Sequence, residues 1–352
     1  MRHEPRVRLL RVLGGGSLVL SWLTACDPGS SSQPLPSPGL DPGAAGAGGA
    51  TEVPVEVHGQ LRVEDGVLVD HAGEAVQLKG ASSMWLNWET SGYAENLDAL
   101  LWLRDRWRLK VIRAAMGVEP PNAYLANPGQ ARFQLDNVVK NAVEAGVYVI
   151  LDWHDHTAHE HRAEAQEFFA DVAADYGDLP TVLYEPYNEP EAVSWASEVK
   201  PYHEALVETI RARDPDNVII LGTPFWSQAV DEAALSPVLG DNLLYTLHFY
   251  ACSHDQWLRD RADAALANGI GLFVTEWAAT AADGGLDGSV CLEEARAWLD
   301  WIDRRGLSWT AWKLDNCSDA SCYFTSSAPV DGGWTGEQLQ GHGPFVRERM
   351  RE

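Results

Sequence analysis

Positive charge is what this chain has least of. Lys and Arg number 26 against 51 Asp and Glu, a formal net charge of −25, and no basic stripe breaks the acidic balance. Such a surface repels nucleic acid and anionic lipid and favours neutral or basic partners. Long apolar runs are missing too: the longest, Val12 to Leu23, is too short for a stable bilayer span. No glycine-rich phosphate turn follows the first strand, which argues against a dinucleotide-binding sheet. The histidines of His154-Asp155-His156-Thr157-Ala158-His159-Glu160-His161 fit neither a His-Glu-x-x-His helix nor a Cys/His finger. They read as incidental loop histidines, and neither a metal nor another cofactor is expected.

At the N-terminus, Arg2, Arg6, Arg8 and Arg11 precede the short apolar run, which ends Leu23-Thr24-Ala25-Cys26. That is the layout of an export signal. Its last four residues resemble a bacterial lipobox, which implies that Cys26 becomes the lipidated first residue; an ordinary secretory signal is the alternative. Residues 1–26 therefore read as a leader, and 27–54, rich in Pro, Ser, Gly and Ala, as a disordered tether. An extracytoplasmic protein is expected, touching a membrane only through a lipid anchor.

Residues 55–352 read as one catalytic domain. Leu61-Arg62-Val63 and Val67-Leu68-Val69 around Glu64-Asp65-Gly66 form a small hairpin, placed to plug the bottom of a barrel. Eight short apolar strands follow: 75–82, 111–116, 147–153, 181–188, 218–222, 243–249, 271–276 and 308–314. Amphipathic stretches at 97–106, 133–145, 162–176, 201–213, 257–268 and 292–305 separate them, with Gly146 and Gly306 as helix stops. This alternation predicts an α/β fold, a (β/α)8 TIM barrel with a short N-terminal β-hairpin. The 15 tryptophans exceed what packing alone needs. Flat aromatic faces suit the C–H side of a sugar ring, although most of these tryptophans should be core.

Two strands run into glutamate. Val182-Leu183-Tyr184-Glu185-Pro186-Tyr187-Asn188 leads to Glu189, and Leu272-Phe273-Val274-Thr275 leads to Glu276. Paired carboxylates at the C-terminal ends of barrel strands are the equipment of a glycosidase. Arg113, Asp152, His154, Asn188, His248, Tyr250, Trp309 and Trp312 also lie in strands or at their ends. A buried charge in a strand is costly unless paired, so these groups point to one shared site.

Several segments carry a family likeness: Val111-Ile112-Arg113-Ala114-Ala115-Met116, Tyr148-Val149-Ile150-Leu151-Asp152-Trp153-His154, Asn188-Glu189-Pro190, His248-Phe249-Tyr250 and Phe273-Val274-Thr275-Glu276-Trp277. In order and spacing they resemble family 5 glycoside hydrolases, nearest the bacterial endo-β-1,4-glucanases. The resemblance implies a retaining endo-β-glycanase that cuts β-1,4-glucan, with Glu189 as acid/base and Glu276 as nucleophile. It implies that Arg113 and Tyr250 donate to Glu276, while Glu189 sits in a more apolar spot. Asn188 would bond the sugar 2-OH, His154 and His248 line the floor, and Trp312 pack under the sugar. The partner is then a polysaccharide or oligosaccharide, and a monomer is expected. Other β-glycans (mannan, xyloglucan or chitosan) are the first alternative, and a non-catalytic glycan-binding barrel the second.

The chain departs from that family where sugar contacts are usual. Ser82-Ser83-Met84-Trp85 replaces Ser-Ser-His-Gly, Gly117 stands for a tyrosine, and Cys317 stands for a lysine. Trp85, Trp88 and Lys313 are the candidate replacements. Pro186-Tyr187 also replaces small apolar residues. The four cysteines after Cys26 allow three pairings; Cys252–Cys291 with Cys317–Cys322 is favoured, since both would brace loops at the active face.

Overall fold

The computed structural model describes residues 52–352 except Thr90 and Pro120. The leader, Cys26 and the tether up to Thr51 lie outside the described residues. Ordered structure is already present at Pro54–His58, a turn of helix docked by the Val55 N–H on the Gly146 carbonyl at 3.0 Å.

Strands β1 (Arg62–Glu64) and β2 (Val67–Val69) pair antiparallel through Asp65-Gly66, both at positive φ as a two-residue hairpin turn requires. The barrel strands are β3 (Lys79–Ser83), β4 (Val111–Gly117), β5 (Tyr148–His154), β6 (Val182–Glu185), β7 (Ile219–Leu221), β8 (Leu243–Tyr250), β9 (Leu272–Ala278) and β10 (Trp309–Leu314). They close in the order β10-β3-β4-β5-β6-β7-β8-β9, every pair parallel. This is the (β/α)8 barrel that the alternation predicts.

Alternation along each strand divides its side chains between two environments. In β5, Val149, Leu151 and Trp153 join the layer beneath the helices, whereas Tyr148 and Ile150 join a second cluster inside the barrel. Leu183, Ile220, Leu244 and Phe273 fill that same cluster, which Leu61 and Leu68 of the hairpin segment cap from below. The close approach depends on glycine: a Cβ on Gly271 would sit 2.2 Å from the Gly66 carbonyl oxygen. The lower barrel is thus dry, and the inward positions turn polar only near the C-terminal strand ends.

Some boundaries differ from those expected, for identifiable reasons. Residues 75–78 stay with the hairpin, where Val69 bridges Ala75 and the Val76 N–H reaches the Leu68 carbonyl, so β3 begins only at Lys79. The helix expected from Phe133 starts at Pro128, because Asn127 caps it by accepting the Gln130 N–H. β6 stops at Glu185, since Pro186 has no N–H to pair. Asn188 and Glu189 therefore lie in the loop beyond the strand, held by N–H bonds to the Trp153 and Asp155 carbonyls.

One acidic side chain at the rim sets a pH dependence. Glu89 Oε1 accepts the Tyr93 N–H at 2.7 Å, but the buried Oε2 has no partner among the described residues. Burial pushes its pKa up from 4.5 to about 8 against the Tyr93 hydrogen bond, with Asp315 and Glu95 adding repulsion. Because the folded pKa is the higher one, the native state holds an extra proton between those values, and stability falls as pH rises from about 4.5 to about 8. Glu89→Gln should keep the Tyr93 contact and remove this loss. Thermal melts from pH 5 to pH 9 should show a shallower decline for the variant than for the wild type; parallel curves would contradict it.

Candidate active site

Arg113 projects from β4 into the barrel with no exposed surface and organises the upper interior. Its Nε donates to Glu185 Oε2 at 2.6 Å, Nη1 to Glu276 Oε2 at 3.0 Å and Nη2 to Asn188 Oδ1 at 2.6 Å. Nη2 also pairs with Asp152 Oδ2 at 2.9 Å. Burial disfavours the guanidinium charge, but Asp152, Glu185 and Glu276 outweigh it, and the pKa rises. The same burial pushes Asp152 up to about 7 and Glu185 upward, with Arg113 opposing both. Losing the Arg113 guanidinium from so buried a set would cost about 3–5 kcal/mol, because the carboxylates would be left uncompensated.

Glu276 takes a donor on each oxygen, with the Tyr250 hydroxyl reaching Oε1 at 2.6 Å. Burial first, then the Glu276 charge, drives the Tyr250 pKa well above 10, so the phenol keeps its proton. A bulge in β9 aims Glu276. Thr246 and His248 of β8 stand opposite Phe273 and Glu276, and Trp309 and Ala311 of β10 stand opposite Val274 and Trp277. On both sides β9 carries one extra residue, so consecutive Thr275 and Glu276 both meet interior partners. Thr275 donates to Glu185 at 2.6 Å, while Trp277 returns to the outer layer.

Glu189 does not have the apolar surroundings expected of it. His248 Nδ1 lies 2.8 Å from its Oε1 and His156 Nε2 3.5 Å from its Oε2. Burial raises its pKa, but the hydrogen bonds and charges of the two histidines outweigh that, and the net shift is downward. His248 is raised in turn: burial lowers it, while Glu189 and Glu276 hold its proton. An oxygen of Glu189, a ring nitrogen of His248 and an oxygen of Glu276 all lie within 4.8 Å of one another. Three such atoms meet the minimum for a cation, yet both glutamates already accept hydrogen bonds from neighbouring side chains.

His154 is locked as a neutral ring. Burial pushes its pKa well below 6.5. Its Nδ1 faces Asp152 Oδ2 at 2.6 Å and its Nε2 faces Asn188 Nδ2 at 3.3 Å, so Nδ1 carries the proton. The Asn188 amide is thereby fixed, its oxygen on Arg113 and one N–H on His154. Trp312 stacks on His154 at 5.5 Å and 14°, whereas Trp309 faces the outer layer against Trp277 and belongs to the core.

Trp85 and Trp88 stack face to face at 4.4 Å and 5°, and Trp85 also meets the His154 edge at 4.6 Å. A Cβ on Gly117 would lie 2.1 Å from Asn87 Oδ1 and 2.9 Å from Trp85 Cε3. Trp85 and its loop therefore occupy the space that any side chain at 117 would need. Lys313 is not free to replace a lost lysine: it is 5% exposed and its Nζ binds Asp319 Oδ2 at 3.1 Å. Asp319 lies in the small loop closed by the Cys317–Cys322 disulfide; a second disulfide joins Cys252 to Cys291.

The histidine-rich loop is not idle. His161 bonds Asp155 at 2.7 Å, His159 bonds the Tyr187 hydroxyl at 2.9 Å, and His156 lies between Glu119 and Glu189. Sequence reasoning also missed Phe225 and Trp226, 43% and 44% exposed just past β7. With Ser227 they make three consecutive left-handed residues (φ 58°, 56° and 55°), a conformation costly for such side chains. Their N–H groups bond the Glu191 and Pro190 carbonyls, and Ser227 Oγ donates to the Asn188 carbonyl, which fastens this turn beside Glu189. The sequence signal was an aromatic pair directly after Thr223-Pro224 at a strand end.

Comparison with known proteins agrees with this architecture. Residues 69–318 match the family described as Cellulase (glycosyl hydrolase family 5). The chain is 44% identical over 306 residues to Endoglucanase N of Pectobacterium atrosepticum, covering 85% of this chain and 67% of that protein. It is likewise 44% identical over 285 residues to Endoglucanase A of Evansella cellulosilytica, covering 80% and 57%. The chain thus spans about six-tenths of the length of these curated relatives. A solved structure from Cytophaga hutchinsonii superposes with a TM-score of 0.82 at 40% identity, covering 85% of this chain and 97% of that one. The catalytic domain of Thermobifida fusca endoglucanase Cel5A, solved in complex with cellotetraose, superposes with a TM-score of 0.79 at 31% identity, covering 86% and 100%.

Proposed function

The chain belongs to glycosyl hydrolase family 5, and from that membership we propose that it is a retaining endo-β-1,4-glucanase working by double displacement. The observation that carries this reading is that one oxygen of Glu189, from the loop after β6, and one of Glu276, from β9, lie within 4.8 Å of each other. Retention needs carboxyl groups about 5–5.5 Å apart, because an inverting pair must leave room for a water. Glu276, held by Arg113 and Tyr250, attacks the anomeric carbon. Glu189 protonates the leaving oxygen, then takes a proton from the water that hydrolyses the glycosyl-enzyme. Asn188, its amide fixed by Arg113 and His154, is the residue that the family resemblance assigns to the sugar 2-OH, a contact that strengthens in the transition state. No step calls on a metal or other cofactor.

In this reading Trp312, Trp85 and Trp88 make the platform for the sugars on the non-reducing side. Phe225 and Trp226, fastened next to Glu189, make the platform for the leaving half of the chain. Export with a lipid on Cys26 is proposed from the lipobox alone, with residues 27–51 as the spacer and a monomeric barrel at its end.

A second substrate is favoured by one observation: Met84, Gly117 and Cys317 stand where the family resemblance expects sugar-binding side chains, on what that resemblance makes the non-reducing side. Release of reducing ends from carboxymethylcellulose, mannan, xyloglucan and chitosan separates the readings. The glucanase reading expects carboxymethylcellulose to be cut at least about tenfold faster than the others, a margin of roughly 1.4 kcal/mol. Faster release from another polymer would transfer the assignment to that glycan.

A further inference from the structure

We propose that His156 keeps a proton available to Glu189, and that Glu119, His156 and Glu189 act as one carboxylate–imidazole–carboxylate relay from the cleft rim to the scissile bond. This rests on the reading of Glu189 as the acid/base. The geometry assigns His156 to this task. Its Nδ1 lies 3.4 Å from Glu119 Oε2 and its Nε2 3.5 Å from Glu189 Oε2, so one ring spans two carboxylates. The three side chains become more exposed outward, 13% for Glu189, 26% for His156 and 33% for Glu119, as a path to solvent should.

The ring, its backbone and its outer partner are each held by a neighbour. Trp85 lies over it at 5.8 Å and 29°, the Tyr187 hydroxyl donates to its carbonyl at 2.9 Å, and Thr157 Oγ1 holds the other oxygen of Glu119 at 3.3 Å. The charged and titratable side chains in contact with it are Glu119, Glu189 and His154, the last of them neutral. Burial opposes a charge on His156, but the two carboxylates prevail and lift its pKa to about 9. His248 cannot do the same work. It is 1% exposed, and its second nitrogen is occupied by Thr275 at 2.9 Å.

In the first half-reaction the Nε2–H of His156 passes to the Glu189 carboxylate as Glu189 delivers a proton to the leaving oxygen, which leaves Glu189 ionised and His156 neutral. In the second, the attacking water loses a proton to Glu189, which hands it back to Nε2. The exchange balances over one turnover, with Glu119 stabilising the imidazolium of the resting state.

His156→Gln keeps an amide donor near Glu189 but has no proton that titrates. On cello-oligosaccharides, whose leaving group needs protonation, kcat should fall about tenfold. The alkaline limb of its pH profile should move down by about one unit. With a dinitrophenyl cellobioside, whose phenolate leaves unaided, the initial burst of phenolate should stay within about twofold of the wild-type burst rate, which also reports an intact fold. Equal losses on both substrates, or an unmoved alkaline limb, would overturn the relay. Glu189→Ala, run alongside, separates the failures. If it discriminates between the substrates and His156→Gln does not, the relay alone is wrong. If neither discriminates, the acid/base reading falls and the relay with it.

Discussion

Glu276→Gly is expected to lower kcat on polymer by roughly 10⁴–10⁶-fold, the scale on which loss of a nucleophile acts. The variant removes the carboxylate that Arg113 and Tyr250 hold, yet leaves a gap lined by those same donors. A small anion such as azide fits that gap. With azide present, an aryl cellobioside should yield an α-glycosyl azide, because azide attacks from the side where Glu276 stood. A β-azide or no rescue, with folded protein, would contradict the assignment. Arg113 also loses one of its three buried carboxylates, which relieves part of the excess negative charge inside the barrel. The variant should therefore fold.

Glu189→Ala carries the second-largest effect, and its size should depend on the leaving group. Hydrolysis of oligosaccharides should fall by roughly 10²–10⁴-fold. Glycosylation by an aryl donor should survive, after which water without its base accumulates glycosyl-enzyme, visible as a burst of phenol followed by slow turnover. Azide should accelerate that second step and give a β-glycosyl azide. A uniform loss on all substrates without a burst would place Glu189 outside the proton transfers.

The barrel was legible because its strands are short apolar runs and its helices are bounded by residues such as Gly146, at φ 68° after Ala145. The charged core was legible for a related reason: Arg113 inside an apolar strand demands partners, and Asp152 and Glu276 are among those it meets. Glu185 was missed as the third because Val182-Leu183-Tyr184-Glu185 reads as the approach to Glu189. Pro186 breaks the strand so that Glu185 points inward and Glu189 stands on a loop. The β9 bulge leaves no mark in composition, since period-2 reading would send Thr275 and Glu276 to opposite faces. Phe225 and Trp226 owe their placement to the Glu191 and Pro190 carbonyls, and His156 owes its own to the Tyr187 hydroxyl, contacts that are long-range and invisible to local pattern. The tie between Lys313 and Asp319 is local, but it depends on the path of the loop closed by Cys317–Cys322.

The identity of the nucleophile can be read directly. A 2-fluoro cellobioside with a dinitrophenyl leaving group should inactivate the wild-type protein and add one fluorocellobiosyl unit, which peptide mass analysis should place on Glu276. Label on Glu189, on another residue or on none, with the reagent consumed at the wild-type rate, would contradict the account.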